Sequence, residues 1–168
     1  MAPAIARRWL AARLAAFFIA LLAQVPGASA TVLFVSGRAA VIDGNTIEIR
    51  AHRIKLYGIA APQSRQLCEA AGKQYDCGLR SALALATHLA QRTVTCQQMD
   101  ADPAGHIFAL CTAGPEDLGA WMVSQGWALA YRKYTTRYVT DEDAARSAGR
   151  GLWRGTFTPP WDWHRGSS

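Results

Sequence analysis

The chain has 168 residues, 51% of them hydrophobic and 18% charged, with 18 basic residues against 12 acidic ones and a formal charge of +6. That length suits a single domain, and that apolar content excludes a chain too polar to fold. The basic excess permits an anionic partner but does not require one.

Residues 1–30 contain Arg7, Arg8 and Arg13 and no acid, then an apolar run from Leu14 to Val25, then Pro26-Gly27-Ala28-Ser29-Ala30. A basic head, a short apolar middle and a small-residue end form the pattern of a secretory signal peptide cleaved near Ala30. The apolar run is shorter than the roughly 20 residues that cross a bilayer, which argues against a membrane anchor. Without this segment 15 basic residues remain against 12 acids, so the charge falls to +3. The expected organisation is a leader over 1–30, a folded domain over 31–155 and a Trp- and Pro-rich tail over 156–168. The product is expected in a periplasm or outside the cell, as a monomer with no membrane attachment.

After the leader, Asp43-Gly44 is a turn between two apolar-rich runs. Thr46 to Arg50 alternates in polarity, as a half-buried strand does. His52 to Tyr57 alternates again, with Ile54 and Leu56 on one face and Arg53, Lys55 and Tyr57 on the other. The pair reads as a hairpin with an exposed polar face.

Four cysteines follow: Cys68, Cys77, Cys96 and Cys111. In an exported chain an even count reads as disulfides. A four-Cys zinc site is the competing reading, and it lacks any C-x-x-C element. Of the three possible pairings, one is favoured. Cys96 and Cys111 end two strand-like runs around the turn Asp102-Pro103-Ala104-Gly105. A hairpin centred between Pro103 and Ala104 sets residue 96 opposite residue 111. Cys68 and Cys77 then close the loop before the first helix.

That helix is expected over Gly78 to Ala90, with Leu79, Leu83, Ala86 and Ala90 as its apolar stripe and Leu85 and Leu89 beside them. A second is expected from Asp117 to Gln125, with Gly126 as its stop. The run Trp127 to Tyr131 is apolar and leads into Arg132, Lys133 and Tyr134. A third helix is expected from Thr140 to Ala148, with Thr140 as N-cap and Asp141, Glu142 and Asp143 in its first turn. The tail from Trp153 to Arg165 is expected to wrap the body.

Two stretches carry a resemblance. Asp43-Gly44-Asn45-Thr46, and Lys55-Leu56-Tyr57-Gly58-Ile59-Ala60-Ala61-Pro62-Gln63, resemble the signature of the thermonuclease family, the staphylococcal-nuclease-like domains. Supporting marks are Gly105, Leu118-x-x-Trp121-x-Val123-x-x-Gly126, Ala130-Tyr131 and Gly151-Leu152-Trp153. The similarity runs from about Val32 to Trp153. Pro159 to Trp163 and the Cys-paired loop resemble an exported subgroup. The resemblance implies an α+β fold with a mostly β core, a five-stranded OB-type barrel with three helices.

It also implies calcium-assisted hydrolysis of a phosphodiester. Two Asp hold the ion, a Glu activates water and two Arg clamp the phosphate. Position by position, this chain has Asn45 and Ala60 for the two Asp, Gln63 for the Glu, and Lys55 and His106 for the two Arg. Asp43 and Thr46 match the family. Asn45 and Ala60 supply no charge to a hard cation that wants several anionic oxygens. Gln63 cannot accept a proton. Lys55 keeps a positive charge without the planar fork, and His106 offers an imidazole in place of a guanidinium.

No other constellation replaces the lost one. His52, His88, His106 and His164 do not share metal-ligand spacing, and Asp43, Glu48, Glu69 and Ser64 form no nucleophile motif. The expectation is therefore a non-catalytic module with no cofactor. Lys55, His106, Tyr131, Lys133 and Tyr134 would form a groove for nucleic acid, an acidic polysaccharide or another anionic partner. The alternative is a working secreted nuclease with a rearranged site.

Overall fold

The computed structural model describes residues 33–166; the expected leader lies outside them. The first strand is interrupted at Ala39 into β1 (Phe34–Arg38) and β2 (Ala40–Asp43). It is followed by β3 (Thr46–Ile49), β4 (His52–Leu56) and the two-residue β5 (Ile59–Ala60). A small hairpin, β6 (Leu67–Ala70) and β7 (Lys73–Asp76), leads into α1 (Cys77–Leu89). Then come β8 (Thr93–Ala101), β9 (Ile107–Ala113), β10 (Glu116–Asp117), α2 (Leu118–Ser124), β11 (Leu129–Ala130) and α3 (Val139–Ser147). A 3-10 turn (Gly151–Arg154) and α4 (Pro160–Gly166) complete the described chain.

The strand order of the main sheet is β1-β8-β9-β4-β3-β2. Its two ends are halves of one strand. β1 pairs with β8 from Phe34↔Gln97 to Arg38↔Thr93, and β2 pairs with β3 from Ala40↔Glu48. The path therefore curls back through Ala39 into a five-stranded, partly open barrel of the OB type. β4 and β9 are the parallel pair, with Lys55 opposite Phe108. The fold is the α+β, mostly β architecture that the resemblance implied.

The barrel is filled by the inward residues of its strands. Ile47, Ile49, Ile54 and Leu56 are at most 2% exposed, as are Val94, Leu85, Leu118 and Met122. Each such side chain contributes about 1.5–3 kcal/mol through burial. The alternation read from the sequence in β3 and β4 is the alternation of the barrel wall.

Both disulfides form: Cys96–Cys111 joins residues directly opposite in β8 and β9, and Cys68–Cys77 closes the β6–β7 hairpin. The segment expected as a loop between those last two cysteines is thus a hairpin, turned by Ala71 and Gly72, both at positive φ.

The three expected helices lie within a residue or two of their expected bounds, with two differences, and α4, in the tail, is a fourth helix beyond the three expected. In α1 the buried stripe is Cys77, Ser81, Leu85 and Leu89, while Leu79 and Leu83 are 51% and 52% exposed. The buried disulfide at Cys77 sets the rotation of the helix. Gly78 sets its approach, because a Cβ there would lie 1.9 Å from the Gln63 carbonyl oxygen. In α3 the capping position is Tyr138 rather than Thr140, and no side chain caps it. Tyr138 is 2% exposed and its hydroxyl donates to the Asp117 carboxylate at 3.1 Å. That anchor, rather than a local hydroxyl cap, decides where the helix begins.

Candidate functional site

Six of the singled-out residues meet in one cleft of about 390 Å3: Asn45, Lys55, Ala60, Gln63, Tyr131 and Tyr134. Each is placed by a separate local device. Asn45 follows the Asp43-Gly44 turn, where its backbone N–H donates to Asp43 Oδ1 at 2.9 Å. Gly44 lets that turn press on α1, since a Cβ would sit 2.0 Å from Ser81 Oγ. Lys55 stands on β4 between the buried Ile54 and Leu56, so alternation alone turns it away from the core. Its Nζ lies 5.7 Å from the centroid of the Phe108 ring on the neighbouring strand.

Ala60 is carried by β5, which pairs with β11 in the register Ala60↔Leu129. Gly58, at φ 79°, makes the corner before it, and a Cβ there would strike Thr135 Cγ2 at 2.5 Å. Gln63 opens a turn held by Gln66. The Gln63 N–H donates to Gln66 Oε1 at 3.1 Å, and Gln66 Nε2 donates to the Thr158 carbonyl at 2.6 Å. Gln66 is itself fully buried. It fastens the site's turn to the C-terminal segment.

The remaining walls are aromatic. Tyr131 and Tyr134 line the cleft, with their rings edge to face at 5.1 Å. The Tyr57 hydroxyl donates to the Tyr134 carbonyl at 3.0 Å, and Phe108 lies 5.9 Å from the Tyr134 ring. Trp161, from α4, stacks on Tyr131 with centroids 5.5 Å apart and planes 14° apart. The tail expected to wrap the body therefore also supplies a wall of the cleft.

His106 and Lys133 are not among the residues lining this cleft. The His106 imidazole is engaged at the β8–β9 turn, where Nδ1 lies 2.7 Å from Asp102 Oδ2. Asp102 Oδ1 also accepts the backbone N–H groups of Ala104 and His106. The His106 side chain, and then its backbone N–H, hold the Asp102 carboxyl below the usual range. Lys133 is exposed. Arg132, its neighbour, turns to the opposite side of Trp161 and pairs with Glu142.

Phe108, Gln66 and Trp161 escaped the reading by sequence. Phe108 had a usable signal, because alternation along Ile107 to Cys111 separates it from the buried Ala109. Trp161 had only its composition-rich tail.

Among the described residues, no carboxylate lines the cleft. Apart from the Tyr131 and Tyr134 phenols, the side-chain oxygens of its lining residues are the neutral amides of Asn45 and Gln63, and the same lining includes Lys55. That set does not fit a resident calcium ion, which binds through several anionic or carbonyl oxygens. Among the described residues no three His, Cys, Asp or Glu side chains are grouped to hold a metal.

The model of the family described as staphylococcal nuclease homologue matches residues 53–155, more than half of the chain. A similar protein is the succinoglycan biosynthesis protein ExoI of Rhizobium meliloti (strain 1021). It is 35% identical over 125 residues, which cover 71% of this chain and 65% of that protein.

Proposed function

The chain belongs to the staphylococcal nuclease homologues, and on that premise we propose that it is an exported member that binds a polyanion in the cleft without hydrolysing it. The reading includes a leader over residues 1–30. The two disulfides fit maturation in an oxidising compartment, periplasmic or extracellular.

One observation carries the reading. Asn45, Ala60 and Gln63 converge on a single cleft, and none of them offers a carboxylate. In the resemblance those positions carry both metal-binding acids and the base. Loss of a general base alone costs about 10²–10⁴ in rate. Here the electrophilic metal goes with it. What the cleft retains is Lys55 and a set of rings, which suit an anionic polymer that presents flat faces. The similarity to a protein named for succinoglycan biosynthesis favours an acidic polysaccharide over a nucleic acid.

The test pairs binding with cleavage. Polygalacturonate and a single-stranded oligodeoxynucleotide are titrated at two salt concentrations. Each is also incubated with the protein and calcium, magnesium, manganese or chelator. The expected result is salt-dependent binding of polygalacturonate, weakened several-fold by Lys55→Gln, with no cleavage of either polymer. Chelator-sensitive cleavage of DNA that copurifies with the protein and disappears in Lys55→Gln would refute it and establish a rearranged nuclease.

A further inference from the structure

A second cavity, of about 430 Å3, lies on the other side of Trp161. It is lined by Arg132, Glu142 and Arg146, and by Trp153, Phe157 and Trp161. Its centre of charge is unusual. Glu142 is 1% exposed, and its Oε1 accepts the backbone N–H of Ala130 at 2.9 Å. Its Oε2 lies 2.7 Å from Arg132 Nη1 and 3.7 Å from Arg146 Nη2.

The first contact is an ion pair without hydrogen-bond alignment, since Oε2 has no hydrogen-bond partner among the described residues. The second is too long for a hydrogen bond. The buried carboxylate thus holds two guanidinium groups at the cavity by charge, and each planar fork carries further N–H groups beyond the one nearest Oε2. The Arg146 guanidinium is further fixed 4.5 Å over the Trp153 ring. Both arginines remain about half exposed.

We propose that this cavity is a second ligand site, which takes a carboxylate-bearing sugar ring between the paired guanidinium groups of Arg132 and Arg146 and the aromatic side chains of Phe157 and Trp161. Two Arg and one Glu leave a single net positive charge, which matches one carboxylate rather than a doubly charged phosphate. Guanidinium N–H pairs fit the two oxygens of a carboxylate in parallel. The C–H face of a pyranose packs on an aromatic ring, and the volume is within the range of small-ligand sites. This site stands apart from the reading of the first cleft, because none of its charged residues lines that cleft.

Trigalacturonate tests it, with maltotriose as the neutral control and inorganic phosphate as the bare anion. Binding is followed by tryptophan fluorescence and by the arginine Nε–H and tryptophan Nε1–H resonances. Trigalacturonate is expected to bind saturably and to shift the signals of Arg132, Arg146 and Trp161, while maltotriose and phosphate do not. Arg146→Gln is expected to weaken binding about tenfold or more, as loss of a charged hydrogen bond does. Arg146→Lys keeps the charge but not the fork and should fall between the two. Lys55→Gln, which alters the first cleft only, is expected to leave the trigalacturonate-induced shifts of Arg132 and Arg146 in place. Phosphate binding as tight as trigalacturonate would overturn the proposal, as would the absence of saturable binding to the folded protein. Binding lost in Lys55→Gln but kept in Arg146→Gln would place the sugar in the first cleft and also overturn it.

Discussion

Replacing Arg132 by Met tests how the interior tolerates the Glu142 carboxylate. Breaking a fully buried ion pair by removing one partner costs about 3–5 kcal/mol, because the other charge is stranded. The cost here is smaller for two reasons: the Arg132 side chain is 47% exposed, and Arg146 remains 3.7 Å from the same oxygen. A loss of about 2 kcal/mol is expected. For a domain of this size that lowers the melting temperature by roughly 6–10 °C. The double variant Arg132→Met with Glu142→Gln removes the stranded charge. It also keeps an oxygen for the Ala130 N–H, so most of the loss should return. Thermal melts of parent, both single variants and the double variant give the coupling energy. An Arg132→Met protein melting within about 1 °C of the parent would refute the reasoning, as would a double variant no more stable than Arg132→Met.

Removing Cys96–Cys111 with paired alanines should cost about 3 kcal/mol from the loop alone, measured by denaturant unfolding of oxidised parent and variant. The bond spans 15 residues against nine for Cys68–Cys77, so it should cost somewhat more than the same change there. The Glu116 carboxyl is held below its ordinary value by the Arg92 guanidinium first and the His88 imidazole second. A depressed carboxyl stabilises the fold above its unfolded pKa, about 4.3, and that contribution is lost as pH falls through the lower folded value. Glu116→Gln should therefore lower the melting temperature at neutral pH and flatten its fall below about pH 4.3.

The fold was legible where local rules and global packing agree. Alternation placed Ile47, Ile54 and Leu56 inside and Lys55 outside. Turn arithmetic around Pro103 and Ala104 paired Cys96 with Cys111. The departures share a cause: a distant contact overrides a local preference. Thr140 is a good capping residue, yet Tyr138 reaches Asp117 and starts the helix without it. Leu79 and Leu83 have helical spacing, yet the disulfide at Cys77 turns the other stripe inward. In the cleft, Asn45, Lys55, Ala60 and Gln63 were found because the resemblance fixed their register. Phe108 and Trp161 were not, since one arrives by a parallel strand pairing and the other from a tail nearly a hundred residues away from Gln63 in sequence.

Gln66 grips the Gln63 amide with one end of its side chain and the Thr158 carbonyl with the other. The last stretch of chain is therefore a working part rather than an appendage. Trimming it before Thr158, or pulling on it with a fused affinity handle, would loosen the Gln63 turn and shift Trp161 off Tyr131 in the same movement. A handle placed ahead of Leu33 avoids that lever.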